Sequence, residues 1–280
     1  MQHKEQQGFL TIAQNGKADY LRMAYVQALS IKAVTPGAKY AVIVDAATMA
    51  QVTEQHRKVF DYVIELTHDY SIGTDWKLAN EWQVFWLTPF KETIKLEADI
   101  LVTRDMTQRW DLYRMRDVVL GLGCRNYHGD QVTSPYRTAF VDNELPDVYN
   151  GMMYFRYSKT ALEFFKVARE LFLIWEQVGT EFKRIDTTQA TTDFVYAVAS
   201  NIVGRELTTL PGVGTGFVHM KPGINGWPSD TEFHRSVNVV VDAPDIRINN
   251  VLQLFPVHYH YKDFITDEMI RDYERAAGVN

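Results

Sequence analysis

Cysteine is almost missing from this sequence: Cys124 is the only one in 280 residues. No intrachain disulfide and no cysteine-built zinc cluster can form, and a reducing compartment is the expected setting. Long apolar runs are missing too. No uninterrupted stretch approaches the roughly 20 residues that span a bilayer. The opening Met1-Gln2-His3-Lys4-Glu5-Gln6-Gln7 holds no apolar signal core. These absences predict a soluble, cytoplasmic chain with no membrane partner. Positive charge is in deficit as well: 29 Lys and Arg stand against 35 Asp and Glu, a net charge of −6. Wholesale adhesion to nucleic acid is excluded, whereas a local basic cleft is not.

What is present reads as one α/β domain. Apolar residues make up 46% of the chain, enough for an unstapled core. Short apolar runs at 9–13, 40–44 and 62–66 alternate with helical spacing at 18–32 and 46–59, which predicts a mostly parallel sheet with helices on both faces. Further helices are expected at 75–90, 160–177 (with a Thr160/Glu163 capping box), 188–203 and 266–276, and strands at 100–103, 118–120, 152–155, 237–241 and 251–254. Past residue 207 the pattern turns loop-rich, with Pro and Gly clustered at 211–216 and 222–227. Ligands in such sheets bind beyond the carboxyl ends of the strands. Asn15 and Asp45 fall at two of those ends; an aspartate there equally serves as an N-cap.

Leu96-Glu97-Ala98-Asp99-Ile100-Leu101-Val102 sets two carboxylates two residues apart at a strand entrance. On an extended backbone both point one way, a pattern that suits a hard divalent cation or a solvated strand end. The tract His258-Tyr259-His260-Tyr261-Lys262 alternates as well, and so do His219 and Lys221. Arg104, Arg109, Arg114, Arg116 and Arg125 concentrate among Trp110, Tyr113 and Tyr127, a mixture fit for phosphate and base contacts, although Asp105, Asp111 and Asp117 dilute it.

Residues 96–102 resemble the "LDADILV" segment of GT-A-fold glycosyltransferases, with Glu97 where the first aspartate of that motif stands. Other stretches are similar in the same order along residues 8–262: 83–96 resembles the helix that leads into the motif, Asn150-Gly151 an "N-x-G-x-M" segment without its intervening residue, Asp193 an acidic residue near the acceptor, and 256–259 a late histidine motif. The resemblance implies a GT-A-type, Rossmann-like fold with a loop-rich C-terminal part. Its nucleotide-binding half is expected at 8–103, its acceptor-binding half at 104–262 and a terminal helix at 263–280. It implies sugar transfer from a UDP-type nucleotide sugar, assisted by Mn²⁺ or Mg²⁺.

Carried onto this chain, the resemblance assigns Asp99 and His258 to the metal. Glu97 becomes a second carboxylate, acting directly, through water or on the sugar. Ala13, Asn15, Asp45, Glu97, Ala98, Asn150, Gly151 and Lys262 fall to the donor. His219, Lys221 and His260 are secondary candidates, with 222–227 as a loop that closes over the donor. Asp193 is the catalytic candidate, a general base if the reaction inverts and an acceptor-orienting group if it retains. Arg104, Arg109, Arg114 and Arg116 are assigned to the acceptor. The run from Gly8 through Asp19-Tyr20-Leu21 is most similar to compact enzymes of tailed phages, some of which glycosylate hydroxymethylcytosine. That similarity implies double-stranded DNA with a hydroxymethylated base as partner. A surface glycan or protein acceptor, or nucleotide-sugar binding without transfer, are the competing readings.

Overall fold

The computed structural model describes residues 4–74, 76–186, 188–210, 216–224, 227 and 237–279. Its strands, in chain order, are β1 (Glu5–Ile12), β2 (Tyr40–Val44), β3 (Tyr62–Glu65), β4 (Phe90–Leu96), β5 (Ile100–Leu101), β6 (Val118–Leu122) and β7 (Cys124–Arg125). They continue with β8 (Gln131–Val132), β9 (Val148–Arg156), β10 (Val218–His219), β11 (Val239–Asp242), β12 (Asp245–Ile248), β13 (Val251–Leu252) and β14 (Val257–His258). The main sheet runs β3-β2-β1-β4-β9-β6. Its first four strands are parallel, and β9 and β6 are antiparallel to their neighbours. β2 is buried along its whole length, as a parallel strand covered on both faces must be.

The two-residue alternation of the strands sorts the core into two layers. Phe9, Val42, Val44, Ile94 and Leu96 pack with helix α1 (Tyr20–Val34) on one face. Leu10, Ala41, Ile43, Met153 and Phe155 pack with α2 (Lys159–Leu173) and α3 (Thr192–Val203) on the other. A terminal helix, α4 (Asp267–Ala276), lies against α1. No helix among the described residues is long and apolar enough to cross a membrane.

A second sheet, β5-β14-β10-β7-β8, stands over the carboxyl end of β4, and β11-β12-β13 form a small antiparallel sheet. Several boundaries differ from expectation. The helix expected at 46–59 is two pieces, Ala46–Met49 and Glu54–Val59, because Thr53 and His56 form a capping box that restarts the chain. The helix expected at 75–90 is a 3₁₀ stretch, Lys77–Gln83, and one turn, Val84–Leu87. Pro89 bars the residue before it from helix, so 90–96 is strand β4, not part of a leading helix. Helix α2 is capped by Ser158, which accepts from Ala161 N, and not by the Thr160/Glu163 box. Helix α3 starts only at its cap, Thr191. Residues 152–155 belong to the nine-residue β9, and β12 was not expected. Asp75, the loop at 211–215, and 225–226 of the proposed closing loop lie outside the described residues.

Candidate active site

The acidic pair sits where β4 leaves the main sheet for the second one. The chain does not run extended there, as the sequence pattern predicts. Ile100 N donates to Glu97 O (3.2 Å) and closes a turn, and Glu97 N donates to Gly151 O (2.9 Å). Both carboxylates still reach the same space, through the turn and not through strand alternation. Gln27, fully buried on α1, clamps the turn: its Nε2 donates to Glu97 O (2.5 Å) and Ile100 O (3.0 Å), and its Oε1 accepts from Tyr40 Oη (2.8 Å).

β14 brings the histidines. It pairs with β5, setting His258 against Ile100, and with β10, setting His258 against His219. His258 Nε2 lies 3.0 Å from Asp99 Oδ1 and 3.4 Å from Glu97 Oε2, and Lys262 Nζ donates to Asp99 Oδ2. Burial pushes the Asp99 carboxyl up, but His258 and Lys262 outweigh it and hold it well below the usual range. Burial works against a charged His258, and Asp99 more than reverses it, so its pKa is raised. Burial at the cleft wall raises Glu97, opposed by His258 and Lys95; water still reaches its side chain (27% exposed), which keeps the push partial. Burial, then the neighbouring His258, drive His219 well down and His260 down to about 4. Asp99 thus favours the protonated form of His258, whereas burial favours the neutral forms of His219 and His260.

The opposite wall comes from β9 and α3. Asp193, in the first turn of α3, accepts from Asn150 N (2.7 Å) and from Arg137 Nη1 (3.1 Å). Arg137 is 4% exposed, lies over the rings of Phe140 (3.7 Å) and Tyr149 (3.8 Å), and also donates to Asp147 and Val148 O. Gly151 has no room for a side chain: a Cβ there would stand 2.5 Å from the Phe217 ring.

Between the walls lies a cavity of about 820 Å³. It is lined by Glu97, Ala98, Asp99, Asn150, Gly151, Asp193, His219, Lys221, His258, His260 and Lys262, so most of the sequence candidates converge. Three donor candidates do not line it. Ala13 is buried in sheet hydrogen bonding to Ile43 O. Asn15 braces its own loop, bonded to Asp19, Gln51 and Leu21 N. Asp45 caps Thr48 N (2.8 Å), the alternative role for a strand-end aspartate, and reaches the cleft only through Gln14 (3.3 Å).

The four acceptor arginines do not line the cleft either. Arg114 pairs with Glu92 (2.7 Å), and Arg116 donates to Glu206 O (2.6 Å), both at the entry end of β4 where β9 finishes. Arg104 pairs with Asp245 (2.8 Å), and Arg109 approaches Tyr113 Oη (3.3 Å). The sequence reading missed Gln14, Lys17, Trp76, Lys77, Glu81 and Tyr136, all of which line the cavity. A charged residue inside the aromatic run 76–86 was the available signal for Glu81.

The donor set fits a divalent cation. Asp99, His258 and His260 each offer one ligand atom, all within 4.8 Å of one another. Ligands at about 2.1 Å around an octahedral ion stand about 3 Å apart along an edge, which the 3.0 Å Asp99–His258 spacing matches. A carboxylate beside imidazoles favours a transition metal such as Mn²⁺ over Mg²⁺.

No family model matches the chain, and no curated protein matches it. Solved structures do. The galactosyltransferase LgtC, in complex with donor and acceptor sugar analogues, superposes with a TM-score of 0.52 at 13% identity, over 97% of this chain and 95% of that one. The bifunctional glycosyltransferase WbbM gives 0.52 at 11% identity, over 98% of this chain and 50% of that one. The chain has the GT-A glycosyltransferase fold. GlyE of Streptococcus pneumoniae TIGR4 matches at a TM-score of 0.49 and 10% identity, and the chain spans 61% of its length. At such identities the GT-A likeness is one of fold, and chemistry must be argued from the cleft.

Proposed function

We propose that this chain is a metal-dependent glycosyltransferase that moves a sugar from a nucleotide-sugar donor to an acceptor hydroxyl. The observation that carries the reading is the meeting of Glu97, Asp99, His258 and His260 at the carboxyl end of β4, across a deep cleft from Asp193. Asp99, His258 and His260, with Glu97 beside them, would hold a divalent cation. Such an ion, when bound, neutralises charge building on a departing diphosphate. The chain's own cations do related work: Lys262, Lys221, Lys77 and Lys17 line the cleft and draw in phosphates. Asp193, oriented by Arg137 and Asn150, directs its remaining lone pairs at an incoming hydroxyl. Residues 8–103 supply the donor half and 104–262 the acceptor half.

The acceptor favoured is a saccharide or protein hydroxyl. Trp76 and Tyr136 flank the Asp193 side, Trp76 tethered by Nε1 to Ala190 O (3.0 Å) and Tyr136 by Oη to Thr191 Oγ1 (2.8 Å). Fixed aromatic faces with a polar edge suit a sugar ring. Hydroxymethylcytosine in duplex DNA remains the phage-type alternative, whose phosphates the four arginines would have to meet from outside the cleft. The test is release of nucleoside diphosphate from a panel of nucleotide sugars with Mn²⁺, given lactose, a protein mixture or hydroxymethylated DNA as acceptor. Acceptor-stimulated release with one donor, lost in EDTA, is expected. No release with any donor would contradict the proposal, and stimulation by DNA alone, weakening steeply with salt, would move the acceptor to DNA.

A further inference from the structure

A buried ion pair reaches the cleft through Glu81, and neither the metal cluster nor Asp193 explains it. Lys95 Nζ stands 2.6 Å from Glu81 Oε2, with side-chain exposures of 0% and 5%. Lys95 is on β4, where its register partners are Leu10 and Met153, so the ammonium projects into an otherwise apolar layer. Apolar replacements for such a pair are often neutral or stabilising, so stability is a weak reason for its presence. The contact is ionic and lies off the hydrogen-bond axis, leaving Nζ and Oε2 with unused bonding capacity.

Their surroundings share that property. Asn150 is 1% exposed and Thr192 2% exposed; both line the cleft, and among the described residues neither the Asn150 amide nor Thr192 Oγ1 has a hydrogen-bond partner. Tyr196 Oη, four residues along α3 from Thr192, is buried without a hydrogen bond among the described residues too. Lys95 lies near the end of β4, two residues before Glu97, which sets the pair beside the acidic turn. Buried polar groups are ordinarily bonded. Glu81, Asn150 and Thr192, which line one cavity with bonding capacity unused, mark where a polyhydroxylated ligand completes the bonding.

We infer that Glu81, positioned by Lys95, reads a hydroxyl of the transferred sugar, with Asn150 and Thr192 completing the subsite. This rests on the nucleotide-sugar reading above. A carboxylate only accepts hydrogen bonds, so Glu81 selects a neutral sugar that carries a hydroxyl donor at the position it faces. A sugar lacking that hydroxyl leaves the buried pair unpaired and is rejected.

The test is calorimetric binding, with Mn²⁺ present, of UDP, UDP-glucose, UDP-galactose and their monodeoxy analogues to the full chain and to Glu81→Gln. In the wild type one deoxy analogue is expected to bind about tenfold more weakly than its parent, the scale of a hydrogen bond to a charged group. In Glu81→Gln that gap should close to within about twofold while UDP affinity is unchanged, a split that general damage to the fold would not produce. Should Glu81→Gln fail to fold by stranding the ammonium, Glu81→Gln/Lys95→Met removes both charges and carries the same expectation. A gap that persists in the variant overturns the assignment and leaves nucleotide-sugar binding intact. A wild type that binds neither UDP nor its conjugates overturns both.

Discussion

The two ends of the central sheet are both highly charged, and they differ in how those charges are met. At the entry end, Arg114 reaches Glu92 (2.7 Å), Gln7 (2.6 Å) and Asp111 (2.8 Å), and Arg156 reaches Asp117 (2.5 Å). These arginines are 36% and 42% exposed. At the carboxyl end most of the charges are buried: Glu81 and Lys95 meet only as an ion pair (2.6 Å), and among the described residues Asn150, Thr192, His219 and His258 keep side-chain atoms without a hydrogen bond. A satisfied surface network contributes little and can drift without consequence. A buried, half-satisfied one is costly to keep, and several of its members line the same cleft. That contrast, more than the count of charges, locates the site.

The largest effect expected from breaking the contrast is at Arg137. Arg137→Ala strips the buried guanidinium from Asp193 and Asp147 and should cost about 3–5 kcal/mol in denaturant unfolding. A loss under 1 kcal/mol would mean that the wall is not held this way. Next comes Asp99→Asn, nearly isosteric, which should lower Mn²⁺-supported kcat/KM for donor turnover about 100-fold, or about 2.7 kcal/mol, with the fold retained by circular dichroism. At the entry end, Arg114→Ala should cost no more than about 1 kcal/mol and leave donor turnover within twofold. An activity loss like that of Asp99→Asn would erase the distinction between the two ends.

The smallest effect concerns pH. Burial raises the Asp61 carboxyl, but Lys32, Lys39 and the Tyr40 N–H outweigh it and hold it below the usual range. A carboxylate depressed in the folded state contributes stability that is present above its unfolded pKa and lost as pH falls through the folded one. Asp61→Asn should therefore cost up to about 1 kcal/mol at pH 7 and nearly nothing well below pH 4, read from urea midpoints across that range. A cost unchanged between the two conditions would assign the effect to packing.

Much of this was legible in the sequence because it depends on local pattern. The parallel half of the sheet follows from fully apolar runs such as 40–44, and the acid-x-acid turn, Asn150-Gly151, Asp193 and the late histidines converge on the cleft. Asp45 and Asn15 were misplaced because a strand-end carboxylate or amide looks the same whether it meets a ligand or caps a helix; here Asp45 holds Thr48 N. The arginine cluster misled because nearness along the chain is not nearness in space. Arg114 and Arg116 fold to the end of the sheet away from the acidic turn. Gln27 and the pairing of Glu81 with Lys95 could not be read, since their meaning lies in contacts across 70 and 14 positions of sequence.

The central claim is that the cluster of buried Asp99 and His258 with half-buried His260 binds a divalent cation together with the diphosphate of a nucleotide sugar. Calorimetric titration of UDP into the protein, with Mn²⁺ and then with EDTA, tests it most directly. The account predicts binding with Mn²⁺, at least about tenfold weaker binding in EDTA, and the same loss in Asp99→Asn. Equal UDP affinity in both conditions, untouched by Asp99→Asn, would contradict it.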